Sequence, residues 1–519
     1  MADLLLAGSI VDGSGAAPFP GWVAVAGDRI ASVGRTSEPA PEAARTIDAS
    51  GLVVAPGFVD VHNHSDLSPF LLPEMPSTVR QGVTSVVVGN CGASPWPLAA
   101  WDEAAGLAYG EPGAIALPDW GRWRDYLDAI DEARPAVNIA TLVGHGSIRQ
   151  EVLGLGRGAP SPPDLDRMRG LVHDAVTDGA VGLSTGLIYV PGIFSDTDEV
   201  VALASAAADA GGLYASHIRG EGRDLFEAVG EALEIGARAD LPVHVSHLKC
   251  ESSRVWGRAE ELLHMLHDAP DATGDQYPYA AWNSSLASLL PPWAPPGEIA
   301  EIAASDGERL RSAVETGEAG FQSSVDGVGW ERIVLVTAPR AEWRGRDIAA
   351  VAQDLGESPF ATFVRLLAAD PEISCIGHAM TQDDVATILR DPGVFVASDA
   401  SATAPDGPGG ALPVHPRDYG TFARALSAVR GGALPLEAMV RKMTSLPAER
   451  FGLRDRGRIA AGAFADLVVF DAGTVHDEAT FDRPHAFPSG FAAVVVNGTV
   501  AWEPGATRVA RAGRALRRT

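Results

Sequence analysis

Both ends of the chain show short apolar runs that are separated by turn residues such as Gly27-Asp28. This pattern is typical of short β-strands. The strands predicted near the amino end cover residues 4–6, 22–26, 30–33 and 46–48. Those predicted near the carboxyl end cover residues 466–470 and 493–497. Neither group contains enough strands to close a sandwich alone, so we expect both ends together to form one small β-sandwich domain.

Between the two ends, short apolar runs alternate with longer segments whose apolar residues recur at spacings of three and four. The short runs indicate strands, and the longer segments indicate amphipathic helices, for example at 195–210, 224–239 and 258–268. Eight strands are predicted, at residues 52–62, 84–89, 138–144, 181–184, 213–217, 242–247, 273–277 and 394–399. Eight strands that alternate with helices predict an α/β fold of the (β/α)8 barrel type, and a doubly wound open sheet is the alternative.

These patterns divide the chain into two predicted domains. Residues 1–55 and 455–519 are expected to form the small β-sandwich domain, and residues 56–454 the catalytic barrel. The stretch from about 290 to 350 fits none of the barrel units and begins near a proline-rich segment. We therefore expect this stretch to be an insertion over the barrel mouth.

Charge and cysteine content narrow the function classes. The 519 residues include 40 basic and 67 acidic side chains, and the net charge of −27 disfavours nucleic acids and anionic membranes as partners. Three cysteines imply no disulfide framework, and neither a signal peptide nor a membrane-spanning run is evident. We expect a soluble cytoplasmic protein whose partner is a small molecule.

The strongest local motif is His62-Asn-His64, which ends the first predicted barrel strand. Because side chains alternate between the faces of a strand, both histidines project to the same side. Two imidazoles held in this way can share one metal ion. The alternative is a pair of hydrogen-bonded strand histidines without a metal.

Further ligand-type residues stand at the ends of later strands, namely His217, His247 and Asp399. In a barrel, the carboxyl ends of the strands meet on the face that carries active sites. His244 is three residues from His247 and faces the opposite side of its strand, so it is expected to be a packed or hydrogen-bonded histidine. Cys91 follows the second strand at the same end. Thiolate and imidazole together favour zinc over harder cations.

Taken together, these motifs resemble the D-aminoacylase branch (N-acyl-D-amino-acid deacylases) of the amidohydrolase superfamily. The similarity covers essentially the whole chain. The segments that carry it are Pro56-Gly-Phe-Val-Asp-Val-His-Asn-His64, Gly89-Asn-Cys-Gly92, Ser184-Thr-Gly-Leu-Ile-Tyr189, His217-Ile-Arg-Gly-Glu-Gly222, Ser246-His-Leu-Lys249, Asp275-Gln-Tyr-Pro-Tyr279 and His415-Pro-Arg417.

The resemblance implies a tight zinc site made by Cys91, His217 and His247, with His62 and His64 framing a second, weaker metal position. Many members of the superfamily bridge their metals with a carboxylated lysine on the fourth strand. This chain has no lysine there, which agrees with a cysteine in that role.

The expected reaction is hydrolysis of the linear amide of N-acyl-D-amino acids by metal-activated water. Asp399 is expected both to contact the metal and to act as general base and then general acid. Resemblance assigns contact with the substrate carboxylate to Lys249 and Arg417, and lining of the substrate pocket to Tyr189 and Tyr277.

The chain departs from its relatives after the Tyr-Pro-Tyr segment. Asn283 stands where relatives commonly carry a substrate-facing serine, and Trp282 replaces a small residue. A bulky Trp282 near the mouth favours an apolar substrate side chain over an acidic one. Turnover of N-acetyl-D-leucine compared with N-acetyl-D-glutamate tests this expectation.

Two other functions stay open. A cyclic amidase of the same superfamily, such as a dihydroorotase or hydantoinase, would normally require the fourth-strand lysine. A barrel that has lost catalysis and serves as a scaffold would be expected to lose several ligands, whereas this sequence retains them all.

Overall fold

A computed structural model describes residues 1–97, 118, 120–407, 410 and 414–518 of the protein. Strands from both ends of the chain form one seven-stranded sheet in the order β18-β17-β16-β4-β1-β2-β3. The strands are β1 (Ala2–Ile10), β2 (Phe19–Ala26), β3 (Arg29–Arg35), β4 (Ala43–Pro56), β16 (Leu467–Phe470), β17 (Phe491–Val496) and β18 (Thr499–Trp502). Leu6 and Val25 from one end pack in the same cluster as Leu467 and Val495 from the other. Both ends therefore share one core, and this core belongs to a single continuous sheet.

The strand predicted at 52–62 is wrong as a single element. β4 continues to Pro56 within the terminal sheet, and the first barrel strand, β5, begins at Phe58. A Cβ atom at Gly57, between them, would lie 2.2 Å from the side chain of Thr84. Only glycine fits at this junction, where the chain leaves one sheet and enters the other. The apolar run crosses the junction without interruption, and hydrophobic pattern alone therefore does not separate the two strands.

The middle of the chain forms eight neighbouring parallel strands. They are β5 (Phe58–Asp60), β6 (Val83–Val88), β7 (Asn138–Gly144), β8 (Gly182–Gly186), β9 (Leu213–His217), β10 (Val243–Val245), β11 (Ala272–Gln276) and β15 (Val394–Val396). Just beyond the first and last of these strands, the Asp399 amide donates to the His62 carbonyl, and the His64 amide to the Ala400 carbonyl, both at 2.8 Å. The sheet closes on itself, which confirms the predicted barrel and argues against an open sheet.

Helices cover the outer face of the barrel. Their bounds are Ser68–Leu71, Pro76–Val79, Trp123–Ala133, His145–Leu153, Pro162–Thr177, Thr197–Asp209, Leu225–Ala239, Ala259–Asp268, Gln382–Arg390, Arg417–Arg430, Leu436–Met443 and Ser445–Arg450. Polar residues define several of the helix starts: the Asp196 side chain, for example, accepts a 2.8 Å hydrogen bond from the Glu199 amide. Along β6, Val87 belongs to the barrel interior, whereas Val86 and Val88 belong to the cluster shared with the helices. Among the described residues, every helix is too short or too polar to cross a membrane.

A separate small layer lies in the chain between β11 and β15. It contains a three-stranded antiparallel sheet made of β12 (Trp282–Ser285), β13 (Ile333–Leu335) and β14 (Ser374–Gly377). Its helices are Ile299–Thr316, Ile348–Leu355 and Pro359–Ala369. Its apolar side chains form a cluster of their own. The insertion predicted at about 290–350 falls within this layer, which extends beyond it at both ends. The division of the chain into domains stays a prediction.

Candidate metal centre and active-site cavity

A cavity of about 580 Å³ lies at the carboxyl ends of the barrel strands. Ten of the eleven site residues predicted from the sequence line this cavity, and the remaining one, His62, is fully buried against Cys91. The ten are His64, Cys91, Tyr189, His217, His247, Lys249, Tyr277, Asn283, Asp399 and Arg417. The fold therefore brings together residues that are more than 300 positions apart in the sequence.

Cys91, His217 and His247 converge with spacings that suit a tetrahedral metal ion. The Cys91 Sγ lies 3.4 Å from His217 Nδ1 and 3.7 Å from His247 Nε2, and these two nitrogens are 2.9 Å apart. Tetrahedral zinc, with Zn–S bonds of about 2.3 Å and Zn–N bonds of about 2.0–2.1 Å, requires S···N separations of about 3.6 Å and N···N separations of about 3.4 Å. The donor set therefore fits such an ion after small adjustments.

A second group of ligand-type atoms adjoins the first. The Asp399 Oδ1 atom lies 3.0 Å from His64 Nε2 and 3.4 Å from His62 Nε2. The same His62 nitrogen lies 3.3 Å from the Cys91 Sγ, so the thiol stands between the two groups. Each group contains ligand-type atoms that could hold a metal ion, and Cys91 adjoins both groups.

Three of the converging residues have left-handed backbone conformations. The φ angles are +53° at Cys91, +35° at His247 and +51° at Asp399. Such angles are uncommon for residues other than glycine and cluster at functional sites. Each of these residues follows the end of a barrel strand by two or three positions. The backbone turns at each residue, and all three residues line the cavity.

The electrostatic environment favours a thiolate at Cys91. Burial would raise the pKa of this thiol, but the neighbouring His62 and His217 imidazoles outweigh burial and hold the pKa well below its ordinary value. The other two cysteines differ, because burial raises the pKa of Cys250 to about 12 and also raises that of Cys375. Because the thiolate is the form that binds metals, Cys91 is the cysteine suited to be a ligand.

Asp399 is held in its ionised form by a buried arginine. The Arg417 Nη1 donates to Asp399 Oδ2 at 2.8 Å, and the Arg417 side chain is 6% exposed. Burial would raise the pKa of Asp399, but the charges of Arg417 and His62 and the contact with His64 lower it well below the ordinary value. One carboxylate oxygen is therefore fixed by Arg417, while the other faces the histidines and is placed to exchange a proton.

Glu221 connects the metal-facing histidines to Lys249, and the sequence analysis did not assign it a role. Its Oε1 atom lies 3.0 Å from His247 Nδ1 and accepts a 2.6 Å hydrogen bond from Lys249 Nζ, while Oε2 lies 3.8 Å from His217 Nε2. The signal was present, because Glu221 follows His217 by four residues within a segment that carries the resemblance. A carboxylate behind a ligand histidine fixes its tautomer and orientation.

Replacing Glu221 by glutamine is expected to lower the affinity for the metal about 10- to 100-fold, because a neutral amide no longer polarises the two ligand histidines. Competition with a chromophoric chelator measures this affinity. Glu231→Gln is the matched control, because the Glu231 carboxylate pairs with Arg219 at 2.9 Å outside the cavity. Equal metal affinity in the two variants would exclude an orienting role for Glu221.

Two buried aspartates organise the floor of the site. Asp275 Oδ1 accepts from the His247 amide at 2.9 Å, and its Oδ2 lies 2.8 Å from His244 Nε2 and 3.5 Å from His62 Nδ1. Asp60 accepts from the Ser398 amide at 2.9 Å, beside Asp399. His244 is thus a hydrogen-bonded histidine, as predicted. Asp275 was missed because its partners come from other strands, whereas Asp60 bonds both to Ser398 and to Asn63 of its own segment.

The remaining cavity residues form a polar and aromatic wall. The Tyr277 ring centre lies 4.8 Å from the Arg417 guanidinium carbon and 5.7 Å from Lys249 Nζ. Tyr189 packs edge-on against His217, with ring centres 4.8 Å apart. Asn283 belongs to β12, so the small inserted layer contributes to the wall of the cavity.

Comparison with known proteins places this arrangement in a family. The model of the Amidohydrolase family matches residues 45–290 and 338–501. A D-aminoacylase from Alcaligenes xylosoxydans xylosoxydans is 36% identical over 523 residues, covering 100% of this chain and 98% of the relative. An N-acyl-D-glutamate deacylase from the same organism is 37% identical, covering 99% of this chain and 96% of the relative.

Solved structures agree with this placement. A D-aminoacylase structure determined to study its binuclear metal centre, with activation by one metal and attenuation by a second, is 34% identical with a TM-score of 0.84. The N-acyl-D-glutamate deacylase of Bordetella bronchiseptica, complexed with zinc and a phosphonate inhibitor that mimics the tetrahedral intermediate, is 33% identical with a TM-score of 0.82. Both matches cover 100% of both chains. The chain is therefore a member of the amidohydrolase family, in its D-aminoacylase branch.

Proposed function

We propose that the protein hydrolyses N-acyl-D-amino acids to a carboxylate and a free D-amino acid, with zinc bound by Cys91, His217 and His247. The observation that carries this proposal is the convergence of these three residues with Asp399 in one cavity. Full-length similarity to D-amino-acid deacylases supports the class of substrate. Zinc is favoured because the donor set combines a thiolate with imidazoles.

We further propose that His62, His64 and Asp399 hold a second and weaker metal. This group lacks a thiolate of its own, and Arg417 already occupies one oxygen of Asp399. A related D-aminoacylase has a binuclear metal centre that is described as activated by one metal and attenuated by a second. When bound, the zinc ion supplies Lewis acidity, which acidifies water and polarises the carbonyl of the substrate.

Asp399 carries the proton in the proposed reaction. Its Oδ1 atom takes a proton from the attacking water while the water oxygen forms a bond to the carbonyl carbon. The same oxygen then delivers this proton to the amide nitrogen as the carbon–nitrogen bond breaks. Arg417 keeps the carboxylate in position throughout, because it holds the opposite oxygen at 2.8 Å.

The substrate carboxylate is proposed to lie between Arg417 and Lys249. The Arg417 Nε and the Tyr277 hydroxyl are buried and have no hydrogen-bond partner among the described residues, so both are available to an anionic ligand. Lys249 is engaged by Glu221, and it contributes positive charge beside the same tyrosine. We propose that Tyr189 and Asn283 line the space for the acyl and side-chain groups.

The cyclic amidase alternative is not favoured. Strand β8, the fourth barrel strand, contains no lysine, and Cys91 stands at the centre of the ligand atoms. A scaffold without activity is also disfavoured, because the retained ligand residues meet in one cavity.

The proposal predicts metal-dependent and stereoselective hydrolysis. Purified protein is expected to release acetate from N-acetyl-D-leucine but not from its L-enantiomer. The activity is expected to disappear after treatment with a chelator and to return on addition of zinc. Hydrolysis that favours the L-enantiomer, or that persists in metal-free protein, would overturn the proposal.

A further inference from the structure

Glu251 is a buried acid in the cavity wall that the proposed chemistry does not use. It is 4% exposed and lines the cavity two residues beyond Lys249. Its Oε1 atom is buried and has no hydrogen-bond partner in the described part of the chain. A buried carboxyl oxygen without a protein partner is unfavourable unless a ligand or a water molecule in the cavity supplies the missing donor.

The charges around the cavity leave this acid unbalanced. Among the described residues that line the cavity, the only lysine is Lys249 and the only arginine is Arg417. Each already pairs with a carboxylate, since Lys249 bonds to Glu221 at 2.6 Å and Arg417 to Asp399 at 2.8 Å. Both residues are also assigned to the carboxylate of the substrate, so the described wall offers no further positive charge to an acidic substrate side chain.

The surroundings of Glu251 suit the end of a long side chain. Trp282 and Ser324 line the cavity together with Glu251, and the Trp282 indole nitrogen is also buried without a hydrogen-bond partner among the described residues. Burial, together with the charge of Glu221, raises the pKa of Glu251 to about 7. A cation placed against this carboxyl would favour its ionised form, and the resulting pair would be shielded from water. The cavity volume of about 580 Å³ is within the range of small-molecule sites.

We propose that Glu251 selects substrates in which the D-amino acid carries a positively charged side chain, such as D-lysine or D-arginine. The aliphatic part of that side chain lies against Trp282, and its cationic end meets the Glu251 carboxylate. This assignment rests on the proposed deacylase function. It refines the expectation from Trp282, because the same wall combines an apolar ring with an acid and disfavours D-glutamate.

The test compares two substrates of matched length. N-acetyl-D-lysine and N-acetyl-D-norleucine have the same linear side chain except for the terminal ammonium group. The wild-type protein is expected to show a kcat/KM about 10- to 100-fold higher for the lysine derivative. This ratio corresponds to the net contribution that a hydrogen bond to a charged group typically makes to binding. Glu251→Gln is expected to remove this preference by lowering kcat/KM for the lysine derivative alone.

The possible outcomes distinguish failure of the proposed role of Glu251 from failure of the deacylase function on which it rests. If the zinc-loaded wild-type protein hydrolyses neither of these substrates nor N-acetyl-D-leucine, the deacylase function fails. Hydrolysis of N-acetyl-D-leucine alone would leave the function standing and overturn the role of Glu251. If both are hydrolysed but norleucine is equal or better in the wild-type protein, the function stands and the role of Glu251 is overturned. A Glu251→Gln variant that loses activity equally on both substrates would likewise contradict selection by charge.

Discussion

Asp399→Asn is expected to lower kcat for an N-acyl-D-amino acid about a thousandfold, within the range of about 10²–10⁴ that a general acid–base group contributes. Asparagine occupies the same space and still accepts from Arg417, but its amide does not take a proton from water. The loss should therefore appear in kcat rather than in KM. Steady-state kinetics on zinc-loaded protein measure this effect.

Zinc content provides the control for this variant. The Cys91, His217 and His247 site does not include Asp399, so the variant is expected to retain about one tightly bound zinc per chain. A kcat within tenfold of the wild-type value, measured at equal zinc content, would show that Asp399 does not carry the proton.

Cys91→Ala is expected to abolish both tight zinc binding and hydrolysis. Changes behind the ligands of a metal site already cost about 10- to 100-fold in affinity, so loss of the thiolate itself is expected to cost at least about 100-fold. The remaining imidazoles can still attract zinc at high concentration, and activity measured at low free zinc should therefore show the largest loss. Inductively coupled plasma analysis after gel filtration measures the bound metal.

Two other cysteines serve as matched controls for this substitution. Cys250 and Cys375 are fully buried and do not contact the metal-facing group. Cys250→Ala and Cys375→Ala are expected to retain zinc, even where the small cavity that each creates lowers stability. Retention of stoichiometric zinc by Cys91→Ala itself would show that the ion lies elsewhere.

Strand alternation predicted the pairing of some histidines, and the family resemblance supplied most of the other site assignments. The alternation of side chains placed His62 with His64 and separated His247 from His244, and the structure shows the first pair converging on Asp399 and His244 bonded to Asp275. The contacts agree with the prediction, although His62 and His64 lie just beyond β5 and His247 lies just beyond β10.

The roles of the acidic residues near the proposed metal ligands could not be predicted from strand alternation. Glu221 and Asp275 contact histidines that come from other strands, and the closed barrel brings these groups together. It also places Glu251 in the wall of the cavity. Local pattern also does not reveal that Lys249 and Arg417 are already paired with carboxylates. The proposed substrate selection depends on the balance of charges in the cavity. This balance could be determined only from the structure.

We propose that the thiolate of Cys91 and the imidazoles of His217 and His247 bind a zinc ion at the carboxyl ends of the barrel strands. Zinc K-edge X-ray absorption on protein loaded with one equivalent of metal tests this proposal most directly. We expect one sulfur neighbour at about 2.3 Å and nitrogen neighbours at about 2.0–2.1 Å, with the sulfur signal absent in Cys91→Ala. A spectrum with only nitrogen and oxygen neighbours in the wild-type protein would contradict it.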